Sequence, residues 1–273
     1  SMDRGWVGYL TLYSQESNLN SEGLPRIYLN MEDLESLYDQ LAERMNEEWA
    51  RYIVAYRQSG PYDGSESGEP ASALPDLDLS AEGKTQLKQV LDLVGTKIQV
   101  RVEGEEEPVV ISSPFSDSIL EMGVYMQLLM DNCSINASTA IPGRININQA
   151  PRTLLIGIPG MDEDIVDEII NQRYQETTEE AQVDTQKHET WLLTEGIVTL
   201  EEMKALSPFV TAGGDVFRAQ IVGYFEDGGA ASRVEVVFDA TSPLPRVLSW
   251  KDISHLGRGY PLELLGVQLI SSY

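Results

Sequence analysis

The sequence predicts an α+β protein, with a helical part built from short paired helices and a small antiparallel β-sheet after it. Three features carry that prediction. From Arg144 to Arg173 apolar residues recur at helical spacing on both sides of Pro159-Gly160; residues 26–58 echo that stretch; and residues 216–250 change to strand-like runs separated by Gly- and Pro-containing breaks. At 273 residues the chain can bury a sizeable core, and its length fits roughly two domains. A formal charge of −25 opposes broad electrostatic binding to DNA, RNA or an anionic membrane and favours cations or basic partners. The single cysteine, Cys133, excludes an intrachain disulfide and reads as a buried small hydrophobe. No run reaches the roughly 18–20 apolar residues of a membrane span, and no signal peptide is visible. The opening Ser1-Met2-Asp3 reads as an expression scar on a fragment, so a native anchor upstream is expected to have been cut away.

Residues 1–25 form a lead-in expected to be packed by Trp6, Tyr9, Leu10, Leu12 and Tyr13. In 26–58, Asn30 is the expected cap of a helix carrying Leu34, Leu37 and Leu41 on one face, and Asn46 starts a second helix ahead of Glu47 and Glu48. Residues 59–79, rich in Gly, Ser and Pro and without apolar periodicity, read as a flexible loop where proteolysis begins. The segment 80–135 mixes helix and hairpin. Ser80 is expected to cap a helix through Leu87, Val90, Leu91 and Val94, closed by Gly95. Ile98, Val100 and Val102 alternate as a strand facing 109–111, and 117–133 is helical with its methionines assigned to core packing.

In the central segment, 143–210, Asn148 is the expected cap and Pro151 sits in the first turn of a helix beginning near Gln149, with Leu154, Leu155 and Ile158 on one face. A tight turn follows at Ile158, Pro159, Gly160, Met161 and Asp162. The second helix has Asp162, Glu163 and Asp164 at its positive end and a stripe of Ile165, Val166, Ile169 and Ile170. Residues 175–190 read as a polar, acidic loop carrying His188. Residues 191–209 read as a small helical unit in which Thr199 and Glu202 have capping-box spacing. Runs 216–225, 232–239 and 246–250 form an antiparallel meander within 214–252, and the tail 253–273 receives no assignment. Residues 26–30 match 144–148 at an offset of 118 (144 − 26), and 49–57 align with 165–173 at an offset of 116 (173 − 57). Two copies suggest duplication, although short capped helices also recur by chance.

The turn at Ile158 to Asp162 resembles that of the helix-hairpin-helix motif, whose usual form is apolar-Pro-Gly-apolar-Gly. The form that holds DNA offers glycine N–H groups to a phosphate. Here Asp162 stands at the second glycine position, followed by two more acids, so the turn would repel a phosphate and is expected to serve structure or protein contact.

The order of Arg144-Ile-Asn-Ile-Asn-Gln-Ala-Pro151, the Ile158-Pro-Gly160 turn, Leu206-Ser-Pro-Phe-Val-Thr211, Val216-Phe-Arg-Ala-Gln-Ile-Val-Gly223, Arg233-Val-Glu-Val-Val-Phe-Asp239 and Val247-Leu-Ser-Trp250 is similar to the K-type minor pseudopilins of bacterial type II secretion. That resemblance implies a pilin-like α+β body with an inserted helical domain and an N-terminal membrane helix. It implies a place at the tip of a pseudopilus on the periplasmic face of the inner membrane, in protein export with other minor pseudopilins as partners. Calcium is associated with some members, but no Asp-x-Asp-x-Asp-Gly loop occurs and Asp76-x-Asp78 is a weak match, so no ligand is assigned.

No enzymatic activity is expected. His188 and His255 lie in polar, loop-like sequence, and neither a phosphate-binding glycine loop nor a nucleophile elbow occurs. The alternatives are a DNA-binding or DNA-uptake protein built on the hairpin, and a carboxylate- or metal-dependent hydrolase, for which the many acids offer pairs but no selective pattern.

Overall fold

A computed structural model describes residues 11–101, 107–173, 186–225 and 230–259. The architecture is α+β, and the chain divides into two compact units. One comprises Ser1–Ser17 with Gly214–Tyr273; the other is the intervening Asn18–Gly213. The description begins with a short strand of the first unit, β1 (Gln15–Ser17).

The intervening unit contains two copies of one plan. In the first, β2 (Ile27–Tyr28) leads into α1 (Leu34–Arg44) and α2 (Glu47–Ser59), a hairpin of β3 (Lys97–Val100) and β4 (Val109–Ser112) follows, and α3 (Ile119–Asn132) runs into β5 (Cys133–Ser134). β5 returns to pair in parallel with β2. After β6 (Ala140–Pro142), the second copy runs through β7 (Ile145–Asn146), α4 (Arg152–Leu155), α5 (Glu163–Arg173), α6 (Trp191–Thr194), α7 (Leu200–Leu206) and β8 (Val210–Thr211), which pairs in parallel with β7. Equivalent main-chain bonds extend each pair, from Leu29 N to Ser134 O at 2.9 Å and from Ile147 N to Thr211 O at 2.8 Å. At the end of the second helix in each copy an arginine reaches back to the entry strand. Arg57 donates to the carbonyls of Leu29 and Met31, and Arg173 to those of Ile147 and Ala150. Sequence echo, pairing and arginine clasp therefore coincide, which makes the repeat structural. One hydrophobic core fills the unit, from Ile27 to Val210, with Trp49, Tyr52, Phe115 and Tyr125 meeting edge-on or tilted.

Several helix starts differ from expectation. Asp33, not Asn30, caps α1, accepting from Ser36 N at 3.0 Å, while the Asn30 amide is used on both sides by the Leu87 main chain. α4 starts only at Arg152 because the Asn148 amide, its expected cap, is likewise committed elsewhere. Asn46 does cap α2, and Thr199 and Glu202 do form a capping box on α7. No α-helix forms over 80–94. Ser80 bonds to Asp78, the N–H groups of Lys84 and Thr85 go to the Arg57 carbonyl, and only a 3-10 turn at Val90–Leu93 remains. Leu87, Val90, Leu91 and Val94 are still buried.

The run 59–79 is also anchored, contrary to the flexible loop expected. Tyr62 N donates to Lys97 O on the β3 edge, Glu69 exchanges main-chain bonds with Val110 and Ser112 on the β4 edge, and Arg51 holds the carbonyls of Leu74 and Pro75. A two-stranded hairpin leaves both edges with unpaired groups, and this segment satisfies them. In the lead-in, Leu12 and Tyr13 are exposed rather than packed, and Trp6, Tyr9 and Leu10 lie outside the described residues. The methionines of α3 do enter the core, at Met122, Met126 and Met130.

The other unit is an antiparallel meander of β9 (Val216–Tyr224), β10 (Ala231–Asp239) and β11 (Arg246–Asp252), with β10 central. Its register puts Phe217 opposite Phe238, Ala219 opposite Val236 and Ile221 opposite Val234. On the other side Trp250 faces Val236 and Val247 faces Phe238, because a bulge between Val237 and Phe238 brings two odd-spaced residues onto one face. That face is apolar. The opposite face carries Arg218 with Glu235, Gln220 with Arg233, and Asp239 with Arg246. A 3-10 turn at Ser254–Leu256 follows, and the apolar residues of the tail from Tyr260 onward lie outside the described residues.

Candidate functional site

The turn from Ile158 to Asp162, expected from the sequence to serve structure or protein contact, is one compact reversal of the chain in the structure. Ile158 N donates to Leu155 O and Met161 N to Ile158 O, both at 3.0 Å. Gly160 adopts φ +86, the left-handed region that a side chain disfavours, and a Cβ there would sit 3.6 Å from Leu206 of α7. Ile158 and Met161 are buried beneath the turn, whereas Pro159 and Gly160 are exposed. The turn is thereby fixed from below and open above.

Asp162 decides the chemistry of the open side. Its carboxylate accepts from Ile165 N at 2.8 Å, so α5 is capped by its own chain at the point where a phosphate would have to sit. Val166 and Ile169 of α5 are fully buried, and Ile165 and Ile170 are half-buried at the margin of the expected stripe. Arg152 ties α4 to α5 through Asp167 at 2.7 Å and Glu163 at 3.4 Å, and its bond to Asp167 holds that carboxyl below the usual range. Beside the turn lies a cleft of about 390 Å³ with Ile165 and Ile197 as its apolar lining and Asp162, Asp164, Glu168 and Glu202 around them.

A second polar cluster joins the two copies at the end of α3. Asp131 accepts from Ser21 and from Lys187 at 3.0 Å, and His188 Nε2 lies 3.7 Å from Asp131 Oδ1 with no hydrogen bond of its own. Burial tends to raise the Asp131 carboxyl, but the bonds from Ser21 and Lys187 outweigh it and the net shift is downward. Burial, reinforced by the charge of Arg26, pushes the His188 imidazole down to about 4. His188, in a stretch that reads as a polar loop, is therefore a buried, neutral side chain, and the adjacent Glu189 is buried against Arg144 at 2.7 Å. His255 is exposed. Cys133 is buried as expected, and burial pushes its thiol up to about 12, which removes it as a nucleophile near neutral pH.

Asn148 is the residue whose role sequence reasoning missed most completely. Its amide donates to the carbonyls of Gln186 and Ala212, each at 2.9 Å, and accepts from Trp191 Nε1 at 3.0 Å, saturating three of its positions. The signal was its repeat partner: Asn30 stands at the matching position and likewise commits its amide to distant chain, the N–H and carbonyl of Leu87.

No protein family, curated protein or solved structure matches the chain. Among the described residues no group of three or more His, Cys, Asp or Glu is arranged to hold a metal ion, and no described helix is long and apolar enough to cross a membrane. The geometry supplies contact surfaces of definite chemistry: an acid-lined cleft beside the hairpin turn, an apolar sheet face, and an exposed apolar side of α3.

Proposed function

We propose that the chain is a non-enzymatic assembly component of a type II secretion pseudopilus, a minor pseudopilin of the K type that works at the periplasmic face of the inner membrane. The observation that carries this reading is the order of the two units. The meander lies wholly after Gly213, its unit also takes in the chain up to Ser17, and the helical unit is inserted between those two parts. An inserted helical domain in a pilin-like body is what the resemblance implies. The sheet adds a second support. Phe217, Ile221, Val247 and Trp250 align on one face and remain exposed, Trp250 by 64%. A sheet face of this composition calls for a covering layer, and the N-terminal helix implied by the resemblance is such a layer.

The hairpin belongs to this reading as a structural element of helix-hairpin-helix type. The alternative of DNA binding is disfavoured by the self-capped α5 and by the acids around its cleft. Mixing the chain with the soluble domains of the other minor pseudopilins of its own secretion system should give a complex in sedimentation velocity. A mixture that sediments as separate chains would overturn the assignment. In a gel-shift assay at low salt, where phosphate contacts are strongest, duplex DNA should not be retarded; retardation would instead support the DNA reading.

A further inference from the structure

α3 is covered by the core on one side only, and on its outer side apolar residues outnumber the exposed Glu121 and Gln127. Met122, Met126, Leu129 and Met130 point inward and are buried. On the outer side Leu120, Val124 and Leu128 follow one another at four-residue spacing, with Leu120 exposed by 89% and Val124 by 85%. A soluble helix normally turns charged residues outward, so an apolar outer ridge marks a surface covered in use. Gly123 lies beside the ridge with nothing within 4 Å of a Cβ placed there, which leaves room for another backbone to approach.

Both ends of the ridge are acidic. Leu128 opens into a cleft of about 410 Å³ whose charged lining is Glu22, Glu43 and Asp131 with Arg44 as its one cation, so that acids are in excess there although Asp131 is paired with Lys187. At the other end Ile119 lies 3.8 Å from the Cβ position of Gly196, and Gly196 lines the acidic cleft beside the hairpin turn. The helix has 14 residues, a length of about 21 Å, which matches about four turns of a partner helix.

We propose that the outer face of α3 is a docking ridge for an amphipathic helix of another protein, with an apolar stripe lying on Leu120, Val124 and Leu128 and Lys or Arg near both of its ends. The charge distribution selects this occupant. A second copy of the chain would bring acids against acids, as would an anionic membrane. The proposal is independent of the secretion assignment.

The test uses the whole chain and a labelled helical peptide of about 18 residues, long enough to hold a contact helix, with a leucine stripe and lysines at both ends. Fluorescence anisotropy should show binding that weakens with salt and weakens at least about tenfold in Val124→Asp and in Leu120→Asp. Glu43→Gln combined with Asp164→Asn should weaken it by a few-fold. A peptide with glutamates in place of the lysines should bind much more weakly. Failure of the lysine-ended peptide to bind, equal binding by the glutamate-ended one, or unchanged binding in Val124→Asp would each overturn the proposal, the last by showing attraction to net charge alone. Dimerisation of the free chain in sedimentation, abolished by Val124→Asp, would assign the ridge to a second copy instead and overturn it equally.

Discussion

At the scale of single residues, stability depends on polar side chains committed to main-chain partners inside the helical unit. Asn30, Asn148, Arg57 and Arg173 each satisfy carbonyls or N–H groups that the short strands and irregular connections leave over. His188 departs from this pattern, buried beside Asp131 without a hydrogen bond at Nε2. Its folded pKa, about 4, lies below the ordinary 6.5, so the unfolded chain binds this proton more readily than the folded one. Its contribution is fully present above 6.5 and is lost as pH falls towards 4. The Asp131 carboxylate, also depressed, loses its contribution only at still lower pH, below its ordinary 3.8. Urea unfolding at about pH 7 and about pH 4.5 should show a fall in stability that a neutral replacement, His188→Gln, reduces by an amount of order 3 kcal/mol or less. An identical pH dependence in the two proteins would show that His188 is not held neutral by its surroundings.

At the scale of elements, the α4–α5 hairpin illustrates which features a sequence exposes. The Pro159-Gly160 reversal, the acidic start of α5 and its buried Val166 and Ile169 were legible because each is a local signal of turn chemistry, macrodipole or period. The hairpin of β3 and β4 and the three-stranded meander were legible for the same reason. The true partners of Asn148 were not, because an asparagine before a helix looks the same whether it bonds the next turn or a carbonyl 64 residues away. Residues 80–94 misled in the opposite sense: their apolar spacing suits a helix, but tertiary hydrogen bonds hold the backbone in another path. Asp162, expected only as a charge, is in fact the cap. Asp162→Ala should therefore lower stability by about 1 kcal/mol while Asp162→Asn costs much less, since asparagine caps comparably without the charge. Equal losses in the two variants, measured by denaturant midpoint, would reassign the effect to the macrodipole.

At the scale of the molecule, the two units differ sharply in how much apolar surface they bury. The helical unit holds the whole continuous core, from Ile27 to Val210. Among the described residues of the sheet unit, only Val236, Val237 and Ile253 are buried apolar residues. A three-stranded sheet needs a packed face for independent stability, and here Phe217, Ile221, Val247 and Trp250 remain open to solvent. The sheet should therefore unfold at lower denaturant than the helical unit. Placing a charge on the central strand at buried Val236, as Val236→Asp, should lower the sheet transition and leave the helical one unmoved, because Val236 lies outside the core of the other unit. Amide hydrogen exchange separates the two: protection in β9 to β11 should be lost first, with α2 and α3 protected until the second transition. A single cooperative transition for all these amides, shifted as a whole by Val236→Asp, would instead mean that the units stabilise each other as one. Where the two transitions are separate, binding of a helix to the open sheet face should raise the sheet transition alone, because a ligand that binds only the folded state stabilises the unit it covers.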